Sequence, residues 1–314
     1  MVGRAVKWYL RQLLRSERVR SYLHERFAAD DPILTNPQIR FAPPGHYYSP
    51  LPDVAAVTAE ADRLPNRTRG DDGVRLDVEA QRRFFLTMAE RAATFDWGPD
   101  RQPGKRFYCK NGFFPYGDAL ALVTVLGQFQ PRRVIEVGSG FSSAVMLDVN
   151  DRRPEPKMAL TFIEPYPERL ERLLTPGDRQ SARLITKPVQ QVPVTEFDVL
   201  EANDVLFIDS SHVSKAASDV NYLFFEVLPR LRDGVLVHVH DIFYPFEYPL
   251  AWLKEGRAWN ELYLLRAFLQ YNSAFEIVLF NNFAAQQFAD IVAERMPQLA
   301  VDAPSSMWLR KTGK

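Results

Sequence analysis

The segment Val134-Ile135-Glu136-Val137-Gly138-Ser139-Gly140-Phe141-Ser142-Ser143 constrains the fold more than any other part of the chain. It reads as a buried strand that runs into a glycine turn, with an acid held just ahead of the turn. A second acid, Glu164, ends the next apolar run, Ala159-Leu160-Thr161-Phe162-Ile163. In an open α/β sheet, ligands bind in the crevice outside the carboxyl ends of the strands. Two acids in that position, with no Lys or Arg in the turn, suit a ligand with hydroxyls and a cationic centre better than one rich in phosphate.

From Pro131 onward the pattern alternates strand and helix. Strands are expected at 133–137, 160–164, 183–186, 204–209, 234–240, 275–280 and 306–310. Helices are expected at 142–150, 167–174, 213–231, 260–271 and 284–296. Near-continuous apolar strands alternating with helices indicate a parallel sheet covered on both faces, and the early strands are spaced for right-handed crossovers. The last two strands are placed to form an antiparallel pair. Ahead of this region, 78–95 and 116–128 read as helices. The stretch from Asp31 to Asp53 carries Pro32, Pro37, Pro43, Pro44, Pro50 and Pro52, so it cannot be one regular element. The expected division is an addition at 1–110, helical and proline-rich, followed by an α/β domain at 111–314.

At 314 residues, one large domain with additions is the natural expectation. Lys plus Arg and Asp plus Glu both total 39, so the formal net charge is +0 and no global electrostatic argument favours nucleic acid. The single cysteine, Cys109, excludes an internal disulfide and suits a reducing compartment, so a cytoplasmic location is expected. No apolar run approaches the ~18 residues of a membrane span. Residues 1–27 carry Arg4, Lys7, Arg11, Arg15, Arg18, Arg20 and Arg26 against only Glu17 and Glu25, with Val6, Leu10, Leu13 and Leu14 at helical spacing. Such a helix either docks on its own domain or a partner subunit, or lies on an anionic membrane surface. The docked reading is favoured, and homo-oligomerisation stays open.

Gly138, Ser139 and Gly140 allow a ligand to approach the backbone closely, and Ser142 and Ser143 can cap or line the start of the next helix. A dinucleotide turn would carry a third glycine where Ser143 stands. Glu136 argues further against that reading, because a carboxylate there can bind an ammonium group but would repel a pyrophosphate. Glu164 can accept hydrogen bonds from two ribose hydroxyls, or it can stabilise the helix start that follows. Gln190, after the third strand, lies where an adenine would sit.

Together these motifs resemble class I S-adenosylmethionine-dependent methyltransferases. Glu136-Val137-Gly138-Ser139-Gly140 matches that family's acid-x-Gly-x-Gly element, and Glu164 matches its ribose acid. The resemblance covers roughly Asn111 to the C-terminus. It implies a Rossmann-like, doubly wound, seven-stranded and mostly parallel α/β sheet that binds S-adenosyl-L-methionine. Asp209 joins the cofactor set on the same grounds. The phrase Asn111-Gly112-Phe113-Phe114-Pro115-Tyr116-Gly117-Asp118-Ala119 is similar to a segment in a bacterial branch related to macrolide-sugar O-methyltransferases and cephalosporin-hydroxylase-like proteins.

Two further strand ends carry chemistry, Asp209-Ser210-Ser211-His212 and His238-Val239-His240-Asp241. A histidine can take the proton of an acceptor hydroxyl at neutral pH. The spacing Asp209-x-x-His212 followed by His240-Asp241 is similar to that of metal-dependent sugar O-methyltransferases. That likeness implies Asp209 and Asp241 as metal ligands and His212 as the general base. His240 departs from it, because an acid stands at that position in the group. His240 is either a third ligand, a base, or a structural partner of Asp241. Imidazole suits zinc, nickel or iron better than magnesium or manganese, which prefer oxygen. His238 is expected in the core. The aromatics Tyr244 and Tyr248, with His46 and Tyr47 from the N-terminal addition, suit stacking on a sugar ring or plain packing.

The expected function is methyl transfer to a hydroxyl of a sugar, glycan or glycosylated metabolite. Catalysis falls to His212, His240 and Asp241. The rivals are a metal-dependent oxygenase on the same scaffold, a nicotinamide dehydrogenase and a non-catalytic assembly subunit.

Overall fold

The strands are β1 (Arg133–Val137), β2 (Ala159–Ile163), β3 (Ala182–Ile185), β4 (Val205–Ile208), β5 (Leu236–His240), β6 (Phe275–Phe280) and β7 (Ser306–Lys311). They form one sheet in the order β3-β2-β1-β4-β5-β7-β6. The first five strands run parallel, and β7 is antiparallel to both of its neighbours. This is the doubly wound, mostly parallel α/β sheet expected from the sequence. A dinucleotide fold has the order 3-2-1-4-5-6, so the antiparallel β7 wedged between β5 and β6 separates the two. The strand order reverses between β1 and β4, which makes that pair the switch point where a crevice opens.

The structure is a computed structural model that describes residues 41–60 and 73–313. The expectations for the basic segment 1–27 and for the prolines up to residue 37 lie outside the described residues. The chain divides into a unit of 63–252 with 259–314 and a smaller unit of 1–62 with 253–258. The larger unit therefore begins well before 111, and α1 (Val78–Ala92) shows the reason. Its Phe84, Phe85, Met88 and Ala89 are buried in the main core. Its Gln81, also buried, donates to the carbonyls of Ile277 and Val278 at 3.3 Å each and accepts from the Phe280 N–H at 2.7 Å. One side chain thus satisfies an edge that β6 would otherwise leave unpaired. In the smaller unit, Asp53 Oδ1 caps the helix Val54–Ala59, accepting from the N–H groups of Ala55 and Ala56. Among the described residues no helix is long and apolar enough to cross a membrane.

Helix α2 (Tyr116–Phe129) is buried along nearly its whole length, and α3 (Phe141–Arg152) is covered almost as fully. This is why their sequences show no clean polar face. Three expected helices come out differently. The 213–231 run is helical only from Asp219, where the Ser218 hydroxyl caps the Asn221 N–H, and it passes through a π segment at Leu223–Val227. The 284–296 run starts earlier and splits at Phe288 into Asn281–Gln287 and Ala289–Arg295. The 167–174 run shortens to α4 (Glu168–Glu171). The loop ahead of α2 is fixed by buried Arg106, whose guanidinium engages Asp148, Asp151 and Asp178.

The turn between β1 and α3 is built by close backbone approach. Gly138 sits at φ 84° and donates its N–H to the Ile163 carbonyl at 3.0 Å, while Asp209 donates to the Val137 carbonyl at 2.9 Å. A Cβ at position 138 would lie 1.6 Å from the Asp209 carbonyl oxygen. Two residues before that glycine, Glu136 is fully buried. It accepts from the Ser142 hydroxyl at 2.5 Å and from the Ser143 hydroxyl, and Ser143 Oγ accepts the Gly140 N–H at 3.0 Å. Burial pushes the Glu136 carboxyl up to about 8 against the opposing pull of these serine hydroxyls. Glu136, the acid expected to meet a ligand ammonium group, fastens the glycine turn to the first turn of α3.

Two stability effects follow. Gly138→Ala should cost about 3 kcal/mol or more, the upper end for overpacking, because backbone rather than a yielding side chain blocks the methyl. Glu136→Ala should cost about 1–3 kcal/mol by leaving two buried hydroxyl donors without an acceptor, with Glu136→Gln losing less. Denaturant titration measures both, and wild-type midpoints would contradict the account of the turn.

Candidate active site

The crevice between β1 and β4 gathers most of the polar residues singled out in the sequence. Glu164 is partly buried beyond the end of β2. Its Oε2 accepts the Ser139 N–H at 3.0 Å, and its Oε1 accepts the Tyr166 N–H at 2.8 Å. Each oxygen keeps one acceptor site for another donor. Ser142 and Ser143 are buried and committed to Glu136, so they buttress the turn rather than line a ligand surface. The hydroxyls of Ser139 and Ser210, at the ends of β1 and β4, are buried with no hydrogen-bond partner among the described residues. Gln190 lies in the short 3-10 turn after β3 and donates to the Ala217 carbonyl at 3.0 Å.

Sequence reasoning saw no cation in the glycine turn. The structure brings one from outside it. Arg169, on α4, lays its side chain against Gly140 and holds its guanidinium carbon 3.8 Å from the centre of the Phe113 ring. Phe113 in turn stacks on Phe141.

The chain turns sharply after β4 and after β5, where His212 (φ 59°) and Asp241 (φ 55°) respectively adopt left-handed backbone conformations. For a non-glycine residue this conformation costs about 1–2 kcal/mol, so the surroundings must hold it. The His212 ring is buried. Its Nε2 lies 3.4 Å from Asp209 Oδ1 and 3.5 Å from Asp241 Oδ2, and its Nδ1 lies 2.9 Å from Glu261 Oε2. Burial opposes protonation of this ring, yet the hydrogen bonds to Asp209 and Glu261 prevail and hold its pKa well above the usual histidine value. The ring therefore holds a proton more readily than a free imidazole does. Asp209 goes the other way. Burial would raise it, but His240, His212 and Arg169 hold it below the usual carboxylate range. Asp241 is raised by burial despite the neighbouring imidazoles.

Asp209, His240 and Asp241 are the residues expected from the sequence to hold a metal. Among the described residues, no group of three or more His, Cys, Asp and Glu side chains is placed to hold an ion. His212 Nε2 stands between the carboxyl groups of Asp209 and Asp241. His240 Nε2 lies 3.7 Å from Asp241 Oδ1, while its Nδ1 is buried without a partner among the described residues. Its pKa is nonetheless raised, the penalty of burial being overcome by Asp209, Asp241 and Asp118. His238 is a core residue, stacked on Phe207 at 3.8 Å, and burial holds its pKa well below the usual value.

Asp241 is positioned from behind by residues the sequence did not single out. The Ser305 hydroxyl donates to Asp241 Oδ1 at 3.2 Å. Ser305 is held through its N–H by Asp118, which also accepts from Asn281 and from the Ser306 hydroxyl. Asp118 was quoted only within a motif, and Glu261 not at all. Nothing local flags either one, because their partners lie 49 to 188 positions away in the chain.

The expected aromatic contacts also rearrange. Tyr248 is buried, and its hydroxyl accepts the Leu262 N–H at 3.2 Å. Tyr244 packs edge-on against Phe280 and Phe283. The rings that lead to His212 are instead Phe243, Trp252 and Trp259, with the Trp259 ring centre 4.4 Å from that of His212. His46 and Tyr47 lie in the smaller unit, packed on each other at 4.3 Å.

Comparison with known proteins bears on this arrangement. Residues 135–242, from β1 to just past Asp241, match a family model described as a methyltransferase domain. An uncharacterised protein of Archaeoglobus fulgidus is 35% identical over 167 residues, covering 51% of this chain and 74% of that protein. Among solved structures, the chain is similar to the methyltransferase PaMTH1 of Podospora anserina, solved with S-adenosylhomocysteine. There the identity is 13% and the TM-score 0.42, over 81% of this chain and 96% of that one. It is also similar to the O-methyltransferase TomG of Streptomyces achromogenes, solved with S-adenosylmethionine, at 15% identity and TM-score 0.40 over 82% and 96%. Likenesses of that size say nothing of substrate, and the fold assignment rests on the strand order and the matched domain. The chain belongs to the same family as the archaeal protein, and its sheet has the Rossmann-like methyltransferase fold, with the glycine turn inside the stretch that matches a methyltransferase domain.

Proposed function

We propose that the protein transfers a methyl group from S-adenosylmethionine to an acceptor oxygen, with a sugar hydroxyl as the leading acceptor. The observation that carries this reading is the Asp209–His212–Asp241 cluster, a proton-accepting group placed at the switch point beside the glycine turn. The residues present fit the cofactor. The orphaned hydroxyls of Ser139 and Ser210 flank the crevice, and Glu164 keeps acceptor capacity for two ribose hydroxyls. Arg169 adds a cation at the mouth of the turn for the carboxylate of an amino acid. When bound, the cofactor supplies an electrophilic methyl group on a sulfonium.

This chain's own groups supply the rest. Asp209, ionised and partly open to solvent, offers negative charge to a cationic ligand. Asp241 and Asp209 orient the acceptor hydroxyl, and His212 Nε2 takes its proton once the imidazolium has lost its own. The approach of a positive ligand favours that loss, since like charges disfavour each other's ionised forms. Alignment of the hydroxyl for in-line attack contributes much of the rate. The half-buried faces of Trp252 and Trp259 suit a sugar ring, a role first assigned to Tyr244 and Tyr248.

Calorimetry with S-adenosylhomocysteine should show Glu164→Ala weakening affinity by about 1–3 kcal/mol, the scale of charge-assisted hydrogen bonds. Wild-type affinity in that variant would remove the ribose role. The pH dependence has a definite sign. A base works deprotonated, and the neighbouring carboxylates raise the pKa of His212, so the transfer rate should climb with pH and level off only above ~6.5. Asp241→Asn takes negative charge from beside Nε2 and should move the rise to lower pH. Full activity of His212→Ala together with loss in Asp241→Asn would assign the proton to the carboxylate instead.

A further inference from the structure

Glu261 is a fully buried carboxylate at the start of α5 (Glu261–Leu269), 49 residues from His212, and the proposed reaction gives it no part. Its surroundings hold His212 in three ways at once. Glu261 Oε2 lies 2.9 Å from Nδ1 of the ring. The backbone N–H groups of Asn260 and Glu261 both donate to the His212 carbonyl, at 3.0 and 3.1 Å. The Trp259 ring lies 4.4 Å from the imidazole, tilted by 37°. Asn260 also brackets the loop after His212, accepting from the Ser214 N–H at 2.6 Å and donating to its carbonyl at 3.2 Å. Three consecutive residues thus fix the backbone, the ring plane and one ring nitrogen of a histidine whose left-handed φ would not persist unsupported.

We infer that Glu261 is a positioning residue that keeps the Nδ1 proton of His212 in place, so that the nitrogen free to accept a proton is Nε2, the one facing Asp209 and Asp241. A neutral imidazole carries one proton, and the hydrogen bond made by one nitrogen sets the role of the other. With Nδ1–H donated to Glu261, the lone pair falls on Nε2. Without that acceptor the proton is free to settle on Nε2, where it points at the cleft and blocks the base. The burial of Glu261 keeps water from substituting for it. This inference rests on the reading of His212 as the proton acceptor.

The test uses the full-length protein with Glu261→Gln, whose side chain has the same shape and can donate to Nδ1 as well as accept. Nitrogen-15 spectra of histidine-labelled protein, taken where the His212 ring is neutral, should place the proton on Nδ1 in the wild type and move it to Nε2 in the variant. The transfer rate kcat should fall by about 10²-fold or more, the scale of a lost general base, with the cofactor KM nearly unchanged. Glu261→Asp should recover part of the rate. A variant that keeps both the Nδ1 proton and the wild-type kcat overturns the positioning role. If the wild type methylates no hydroxyl acceptor but the proton still moves in Glu261→Gln, the positioning role stands and the proposed reaction falls. Should Glu261→Gln fail to fold, the wild-type spectrum decides by itself, since a proton on Nε2 of the neutral ring overturns the inference and one on Nδ1 supports it.

Discussion

The site depends on one steric constraint, the absence of a side chain at position 138. The carbonyl of Asp209 occupies the space that a Cβ there would fill, so β1 and β4 close on each other only across a glycine. That approach sets the mouth of the crevice. It places Asp209 directly beside the turn and starts the sharp bend that carries His212 into a left-handed conformation. Glu136 then holds the far side of the turn through two serine hydroxyls. Glu164 holds the turn from its other side by accepting the Ser139 N–H.

The charges beyond the turn are arranged in depth. Asp209 is the most open of the cluster, with its side chain 30% exposed; Asp241 is 14% exposed and His212 only 6%. Protonation of the buried ring is tolerable because each of its nitrogens has a partner, whereas an unpaired buried charge would cost several kcal/mol. A cationic ligand would enter a pocket whose outermost carboxylate is ionised and whose inner histidine can yield a proton in response.

What the sequence made legible was local. Apolar runs located all seven strands to within a few residues, and the acid-x-Gly-x-Gly phrase placed the turn on the first of them. What it hid were contacts over long separations. Glu136 was read as an open acid because its two serine partners lie six and seven residues on, around a turn whose path the residue types do not reveal. The contact that holds the His212 ring was hidden too, because Glu261 gives no signal beyond being an acid at a helix start. The long helix expected after His212 failed for a related reason. Asn260 and Asp219 hold that loop open with side-chain bonds to Ser214 and Ser211, and helical periodicity carries no trace of them.

The central claim is that the switch-point crevice binds S-adenosylmethionine with its methyl group turned toward the histidine cluster. A crystal structure with S-adenosylhomocysteine tests it most directly. The account predicts ribose hydroxyls on Glu164, the amino-acid end over Gly138 to Gly140, and the sulfur facing Asp209 and His212. Ligand lying elsewhere, or a ribose that leaves Glu164 untouched, would contradict it.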